Sequence, residues 1–119
     1  MKKYFTIIIL FFSMFSFNFA YSKDEHIAFF AASSENGFNQ AVYEGVEAKV
    51  KELGATSKMF NGEFNAVIQA QQIEDAIASK EFDGFVVLPN DSVGIAIFVQ
   101  EAIDAGIPTA TTLFPIGPD

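Results

Sequence analysis

The stretch Ile27–Leu53 reads IAFFAASSENGFNQAVYEGVEAKVKEL and decides the fold class of this chain. It opens with a short apolar run, 27–32, of the kind that forms a strand covered on both faces. A polar loop, 33–38, separates this run from a helix predicted over 39–53. The helix is indicated by apolar side chains at helical spacing, namely Val42, Val46, Val50 and Leu53. Gly54 follows as a helix stop, so the stretch is one strand–loop–helix unit.

The same unit recurs along the rest of the chain. Strands are predicted over 56–60, 85–88 and 109–113, and helices over 66–79 and 93–105. The side chains expected to face inward from these helices are Val67, Ala70, Ile73, Ile77, Ile95, Val99, Ala102 and Ile103. Four strands alternating with three helices predict an α/β fold, a parallel sheet of Rossmann-like or flavodoxin-like type with right-handed crossovers. Ligands bind beyond the carboxyl ends of such strands, which here are followed by the loops 33–38, 61–65, 89–92 and 113–119.

The first 22 residues have the three-part pattern of a secretory signal peptide. Lys2 and Lys3 precede an apolar stretch, 4–20, that contains six phenylalanines, and small residues stand at Ala20 and Ser22. This spacing favours cleavage after Ser22 and export to the periplasm. The alternative is an uncleaved anchor, because the apolar stretch is close to the shortest membrane span. Either way, residues 23–119 are expected outside the cytoplasm.

Composition excludes several kinds of function. The chain has 119 residues, no cysteine, one histidine, seven lysines and no arginine, with a formal charge of -8. These counts exclude thiolate metal sites and cysteine nucleophiles, and they argue against nucleic acid as a partner. No phosphate-binding glycine loop or nucleophile elbow occurs, so the sequence predicts no cofactor and no enzymatic activity. His26 precedes the first strand, at the end of the sheet away from the predicted ligand edge.

The predicted ligand loops are rich in amides, carboxylates and aromatic rings. Amides and carboxylates bond hydroxyl groups, and an aromatic ring can stack on the C–H-rich face of a sugar. Asn36 and Phe38 lie in the first of these loops, before the predicted helix start at Asn39, and are the first candidates for ligand contacts. The alternative role for such residues is helix capping, which is expected for Asn39, Asn65 and Asp91.

The sequence resembles the periplasmic sugar-binding proteins of ABC transporters, of the ribose- and galactose-binding type. The resemblance is carried by the stretch already quoted, by Gln72–Ala78, by FDGFVVLPNDS at 82–92 and by AIDAGIP at 102–108. It runs from about Ile27 to Leu113. It implies a two-lobed protein that closes on a small-molecule ligand, most often a sugar, and delivers it to an ABC permease. It also implies that Asn36 and Phe38 contact the ligand, with Asn61, Asn90 and Asp91 bordering the same cleft.

The chain departs from the family pattern at three points. Leu88 stands where ribose-type members often have a polar residue, and Leu113 and Phe114 stand where they commonly have an Asp–Arg pair. The residues therefore do not identify which compound is the ligand. The chain also spans only about a third of the family's usual length, which predicts that residues 23–119 are the first part of an N-terminal lobe and that the second lobe is missing. Alternatives are a fragment that binds no ligand and an exported flavodoxin-like enzyme.

Overall fold

A computed structural model describes residues 24–117, so the predicted signal peptide lies outside the described residues. Within this range the elements alternate between strand and helix, as the sequence predicts. The strands are β1 His26–Ala31, β2 Thr56–Asn61, β3 Gly84–Val87 and β4 Thr109–Thr111, and the helices are α1 Gly37–Glu52, α2 Ala66–Ser79 and α3 Ala96–Asp104. No helix in residues 24–117 has the length and apolar character needed to cross a bilayer.

The four strands form one parallel sheet in the order β2-β1-β3-β4. The α/β prediction is confirmed. The chain moves from β1 outward to β2, then crosses to the other side of β1 to form β3. This reversal puts α1 on one face of the sheet and α2 and α3 on the other, with the topological switch point between β1 and β3.

Both faces of β1 are buried, which explains its continuous apolar run. Phe30 is fully buried on the face of α2 and α3, where its ring meets Phe85 edge-on with 5.0 Å between ring centroids. Phe29 is fully buried on the opposite face, beside Tyr43 of α1. Since adjacent strand residues point to opposite faces, β1 contributes one large ring to each half of the core.

The helix ends follow local sequence signals. Asn65 caps α2, and its Oδ1 accepts hydrogen bonds from the backbone N–H groups of Val67 and Ile68. At the end of α1, Gly54 adopts a positive φ of 79°, which lets its N–H reach the carbonyl of Lys51. The predicted cap at Asn65 and the predicted stop at Gly54 are both confirmed.

Three of the side chains expected to face inward are exposed instead: Leu53, Val67 and Ile103. Leu53 is the residue after α1 ends, so helical spacing no longer sets its direction. Val67 precedes the buried Gln69 by two positions, a rotation of about 200° around the helix axis. Ile103 lies beside the buried Ala102, at the margin of the inward face of α3.

Candidate functional site at the carboxyl edge of the sheet

The four loops that follow the strands lie at one edge of the sheet, which we call the carboxyl edge. The loops after β1 and β3 flank the switch point, where neighbouring crossovers leave in opposite directions. In folds of this type the ligand crevice forms at this point. His26 lies at the other edge, and its Nδ1 is 3.6 Å from a carboxylate oxygen of Glu81. The carboxyl edge is therefore the place to look for a ligand site.

Gln69 of α2 holds the ends of β1 and β3 together from below this edge. Its side chain is fully buried, and its Nε2 donates to the carbonyl of Leu88 at 2.8 Å and to those of Phe30 and Ala31 at 3.3 Å. Its Oε1 accepts from the backbone N–H of Asn90 at 2.9 Å. One carboxamide thereby fixes the spacing of the two strands that flank the crevice.

The loop after β2 approaches the loop after β1 closely at Gly62. A methyl group added there would lie 2.6 Å from the carbonyl oxygen of Ala31 and 2.8 Å from Nδ2 of Asn90. The Gly62 N–H donates to the same Ala31 carbonyl at 3.0 Å. Asn90 in turn donates from Nδ2 to the carbonyl of Ala32 at 3.1 Å. The absence of a side chain at position 62 is what allows the three loops to meet.

Asn61 connects the loops after β1 and β2. Its Oδ1 accepts from the backbone N–H of Ser34 at 2.9 Å and from that of Glu63 at 3.0 Å. Its backbone carbonyl accepts from Nε2 of Gln72 at 2.7 Å. The structure thus brings Asn61 and Asn90 to the carboxyl edge, and both hold the loops in position.

Asn36 and Phe38 lie at the start of α1. Asn36 is the N-cap, and its Oδ1 accepts from the backbone N–H of Asn39 at 2.8 Å. The prediction that Asn39 would be the cap is wrong, because the helix starts two residues earlier than its apolar pattern indicates. Phe38 is 56% exposed in the first turn of α1. Its ring is therefore available for a ligand to stack on.

Asp91 is exposed in the loop after β3. Its Oδ1 accepts from the backbone N–H groups of Val93 and Gly94, both at 3.0 Å. These bonds fix the turn after β3 but do not cap α3, which begins at Ala96 with Ile95 as its N-cap and without a side-chain cap. The prediction that Asp91 would cap this helix is wrong, because the helix starts three residues later than its apolar pattern indicates.

Exposed apolar side chains are concentrated at the carboxyl edge. Of the nine large exposed hydrophobic residues within 24–117, seven lie in its loops or in the helix turns that start there: Phe38, Phe64, Val67, Val93, Ile97, Leu113 and Phe114. Apolar side chains together with amides are what a site for a molecule with both apolar and hydroxyl surfaces requires.

The lysines are unevenly distributed between the two ends of the sheet. The carboxyl edge carries the carboxylates Glu35, Glu63 and Asp91, and none of them forms an ion pair within the described residues. The four lysines of residues 24–117 lie in the last turn of α1, in the first half of β2 and just after α2, all toward the amino edge: Lys49, Lys51, Lys58 and Lys80. The described part of the chain has no cluster of acidic or histidine side chains suited to a metal ion.

The departures from the ribose-type pattern have structural counterparts. Leu88 is 3% exposed and packs with Phe29 and Ala31 on the face of α1. Its side chain belongs to the core. Leu88 therefore contributes apolar packing where the ribose-type pattern has a polar residue. Leu113 has a positive φ of 72°, and both Leu113 and Phe114 are more than half exposed. The segment after β4 therefore presents apolar groups to the edge.

Sequence reasoning missed Gln69 and Gln72 as organisers of the site. The sequence does contain a signal for Gln69. This residue shares a helical stripe with Ile73 and Ala76, so a polar side chain interrupts an otherwise apolar helix face. A polar residue on a buried stripe requires buried partners. Here those partners are backbone groups at the strand ends, which no pattern in the sequence could identify.

Comparison with known proteins identifies the fold and the family. Among solved structures, the chain is similar to a solute-binding protein from Agrobacterium vitis with bound alpha-D-tagatopyranose, with 28% identity and a TM-score of 0.70 over 77% of this chain and 31% of that one. It is also similar to a Caulobacter myo-inositol binding protein, with 16% identity and a TM-score of 0.73 over 82% of this chain and 32% of that one.

A third similar structure is a periplasmic solute-binding protein from Actinobacillus succinogenes with bound D-allose, with 24% identity, a TM-score of 0.69 and coverage of 79% of this chain and 33% of that one. The chain thus spans about a third of the length of the structures it matches. No curated protein sequence matches it significantly. Residues 27–115 match the periplasmic binding protein domain, which covers most of the chain, and the chain therefore belongs to that family.

Proposed function

We propose that this chain is the first part of an exported solute-binding protein that captures a sugar or a similar polar ligand for an ABC importer. Residues 1–22 would direct export and be removed in the periplasm. Residues 23–119 would form the first part of the N-terminal lobe, and a second lobe would close over the ligand. The proposal is supported by the family match and by the sugar and inositol ligands of the structurally similar proteins.

The observation that supports the proposal is that Asn36, Phe38, Asn61, Asn90 and Asp91 all lie at the carboxyl edge of the sheet. Three amides and a carboxylate offer both donors and acceptors, as hydroxyl groups require. Phe38 offers an exposed ring at the same edge. Capture of a ligand needs no base or nucleophile. The carboxylates Glu35, Glu63 and Asp91 lie on three separate loops and do not form the adjacent pair that acid–base catalysis would use. Binding without chemical conversion is the function this arrangement supports best.

Export and lobe organisation can be tested by intact-mass measurement and amino-terminal sequencing of the protein isolated from the periplasm. We expect a species that begins at Lys23 and has a mass of roughly 30 kDa, the size of two lobes of ordinary domain size. Recovery in the cytoplasm with Met1 retained would contradict the export proposal.

Replacing Phe38 with alanine in the full-length protein is expected to weaken sugar binding about tenfold, equivalent to about 1.4 kcal/mol. The reason is the loss of the stacking surface. The melting temperature without ligand should change little, because more than half of the ring is already exposed. The measurement is a thermal-shift titration with D-allose, D-tagatose and myo-inositol.

Leu53→Ala is the matched control, because Leu53 is 72% exposed at the opposite end of α1. Equal losses of affinity in Phe38→Ala and Leu53→Ala would argue against a ligand contact at Phe38. Loss in Phe38→Ala alone would support it.

A further inference from the structure

The sequence contains two Asn–Gly dipeptides, Asn36–Gly37 at the start of α1 and Asn61–Gly62 at the end of β2. Asparagine is a thermolabile residue. The backbone nitrogen of the next residue can attack its carboxamide carbon, Cγ, and close a five-membered imide ring. Glycine hinders this attack least, because it has no side chain and a wide choice of backbone conformations. Since the reacting groups of the two dipeptides are the same, the fold decides which of them reacts.

The structure holds Asn61–Gly62 in place. Oδ1 of Asn61 accepts from the backbone N–H groups of Ser34 and Glu63. Gly62 is buried, and its N–H donates to the carbonyl of Ala31 at 3.0 Å. Ring closure would have to break these bonds and move the Gly62 backbone where an added methyl group would lie 2.6 Å from a carbonyl oxygen. The fold therefore protects this asparagine.

Asn36–Gly37 has the opposite surroundings. Gly37 is exposed, and apart from its neighbours along α1 no described atom lies within 4 Å of a methyl group added there. As the first residue of α1, Gly37 has no acceptor for its N–H within the helix. This N–H donates no hydrogen bond within residues 24–117. No bond therefore has to break before the Gly37 nitrogen moves toward Cγ of Asn36.

The start of α1 also favours the chemistry of ring closure. The attacking nitrogen gives up its proton, and the positive end of the helix dipole stabilises the negative charge that results. During the attack, negative charge moves onto Oδ1 of Asn36. This oxygen already accepts a hydrogen bond of 2.8 Å from the N–H of Asn39, which is in place to stabilise the oxyanion. The bond that caps the helix thereby polarises the carbonyl group that reacts.

We propose that Asn36 is a site of spontaneous deamidation, at which the ring closes onto Gly37, whereas Asn61 is protected. The Gly37 nitrogen bonds to Cγ, the Cγ–Nδ2 bond breaks, and ammonia leaves with the proton that the nitrogen gave up. Water then opens the imide, adding its hydroxyl to a ring carbonyl carbon and its hydrogen to the nitrogen. Opening at Cγ gives aspartate, and opening at the main-chain carbonyl carbon gives isoaspartate, in which the main chain runs through Cγ.

Both products change the carboxyl edge. Each adds a carboxylate next to Glu35, on an edge that already carries Glu63 and Asp91. Aspartate caps a helix as well as asparagine does, so this product preserves the start of α1. Isoaspartate lengthens the main chain between β1 and α1 by a CH2 group and displaces Phe38. Because Asn36 and Phe38 are candidate ligand contacts, we expect sugar affinity to fall as the protein ages, a consequence that rests on the proposed function.

Peptide mapping by mass spectrometry tests the proposal on the full-length protein, incubated in mildly alkaline buffer at physiological temperature. Replacement of the asparagine NH2 by OH raises the peptide mass, and methylation by an isoaspartyl methyltransferase identifies the isoaspartate product. In the folded protein we expect deamidation at Asn36 to be at least about tenfold faster than at Asn61. In urea, which removes the protection of Asn61, the two rates should approach each other.

Gly37→Ala is the variant that slows the reaction, because the added methyl group hinders the attacking nitrogen and the structure leaves room for it. The rate at Asn36 should fall at least about tenfold, with the melting temperature little changed. Gly45→Ala, inside the same helix, is the matched control and should leave that rate unchanged. Should Gly37→Ala fail to fold, Asn36→Ser keeps a capping side chain and should abolish the mass increase, which separates Asn36 from Asn39 in the same peptide.

Three results would overturn the inference. They are equal rates at Asn36 and Asn61 in the folded protein, no modification of Asn36 under conditions in which the unfolded chain reacts, and an unchanged rate in Gly37→Ala. None of these measurements requires a ligand. A wild-type protein that binds neither D-allose, D-tagatose nor myo-inositol would instead overturn the proposed function and leave the modification site standing.

Discussion

Replacing Gln69 with leucine is expected to lower the free energy of unfolding by about 2–5 kcal/mol. The carbonyl of Leu88 and the N–H of Asn90 each lose their bond to the buried carboxamide, and a buried unpaired group costs about 1–3 kcal/mol. The carbonyls of Phe30 and Ala31 are less affected, because each also accepts from a backbone N–H. Urea unfolding of the full-length protein measures the change.

Gln71→Leu is the control for this experiment. It makes the same substitution on the same helix, but Gln71 is exposed and its Nε2 meets only Asp75 of the next turn, at 3.2 Å. Its effect should stay within about 0.5 kcal/mol. If the two variants were equally stable, Gln69 would not be the residue that holds the ends of β1 and β3 together.

Gly62→Ala should destabilise the protein by about 1–3 kcal/mol, the usual cost of forcing extra atoms into a filled space. The added methyl group would lie 2.6 Å from the carbonyl oxygen of Ala31 and 3.0 Å from that of Ala32, and backbone atoms cannot move aside cheaply. The loops after β1 and β2 would be pushed apart. Sugar affinity should therefore fall together with the melting temperature.

Gly45→Ala provides the contrast, because nothing lies within 4 Å of a methyl group added there and the residue is inside α1. Alanine is the better helix former, so the melting temperature should rise, by the equivalent of up to about 1 kcal/mol. An unchanged melting temperature in Gly62→Ala would show that the loops tolerate a wider spacing than the structure indicates.

These experiments address residues that the sequence pattern could not single out. The alternation of elements was predictable because a parallel sheet covered on both faces requires continuous apolar strands and amphipathic helices. FFAA at 29–32 and FVVL at 85–88 meet that requirement directly, and α2 begins and ends at the predicted residues. The distribution of side chains between core and solvent was less predictable, as Val67 shows.

The functional edge was predictable in its location and less so in its detail. Helix direction and strand order place Asn36, Phe38, Asn61, Asn90 and Asp91 at one edge, as predicted, whereas their roles as ligand contacts stay predictions. What could not be predicted is which backbone group each asparagine or glutamine side chain bonds at this edge. Whether Asn36 or Asn39 caps α1 depends on a two-residue difference in the helix start, and the answer determines which amide is left unpaired.

Isothermal titration of the full-length protein, purified from the periplasm and stripped of ligand by unfolding and refolding, measures sugar capture itself. The titrants are D-allose, D-tagatose and myo-inositol. We predict saturable one-to-one binding of at least one of them, with the compound recovered chemically unchanged. The absence of saturable heat with every titrant, or conversion of a titrant to product, would contradict the proposal that this chain belongs to a sugar-capturing protein.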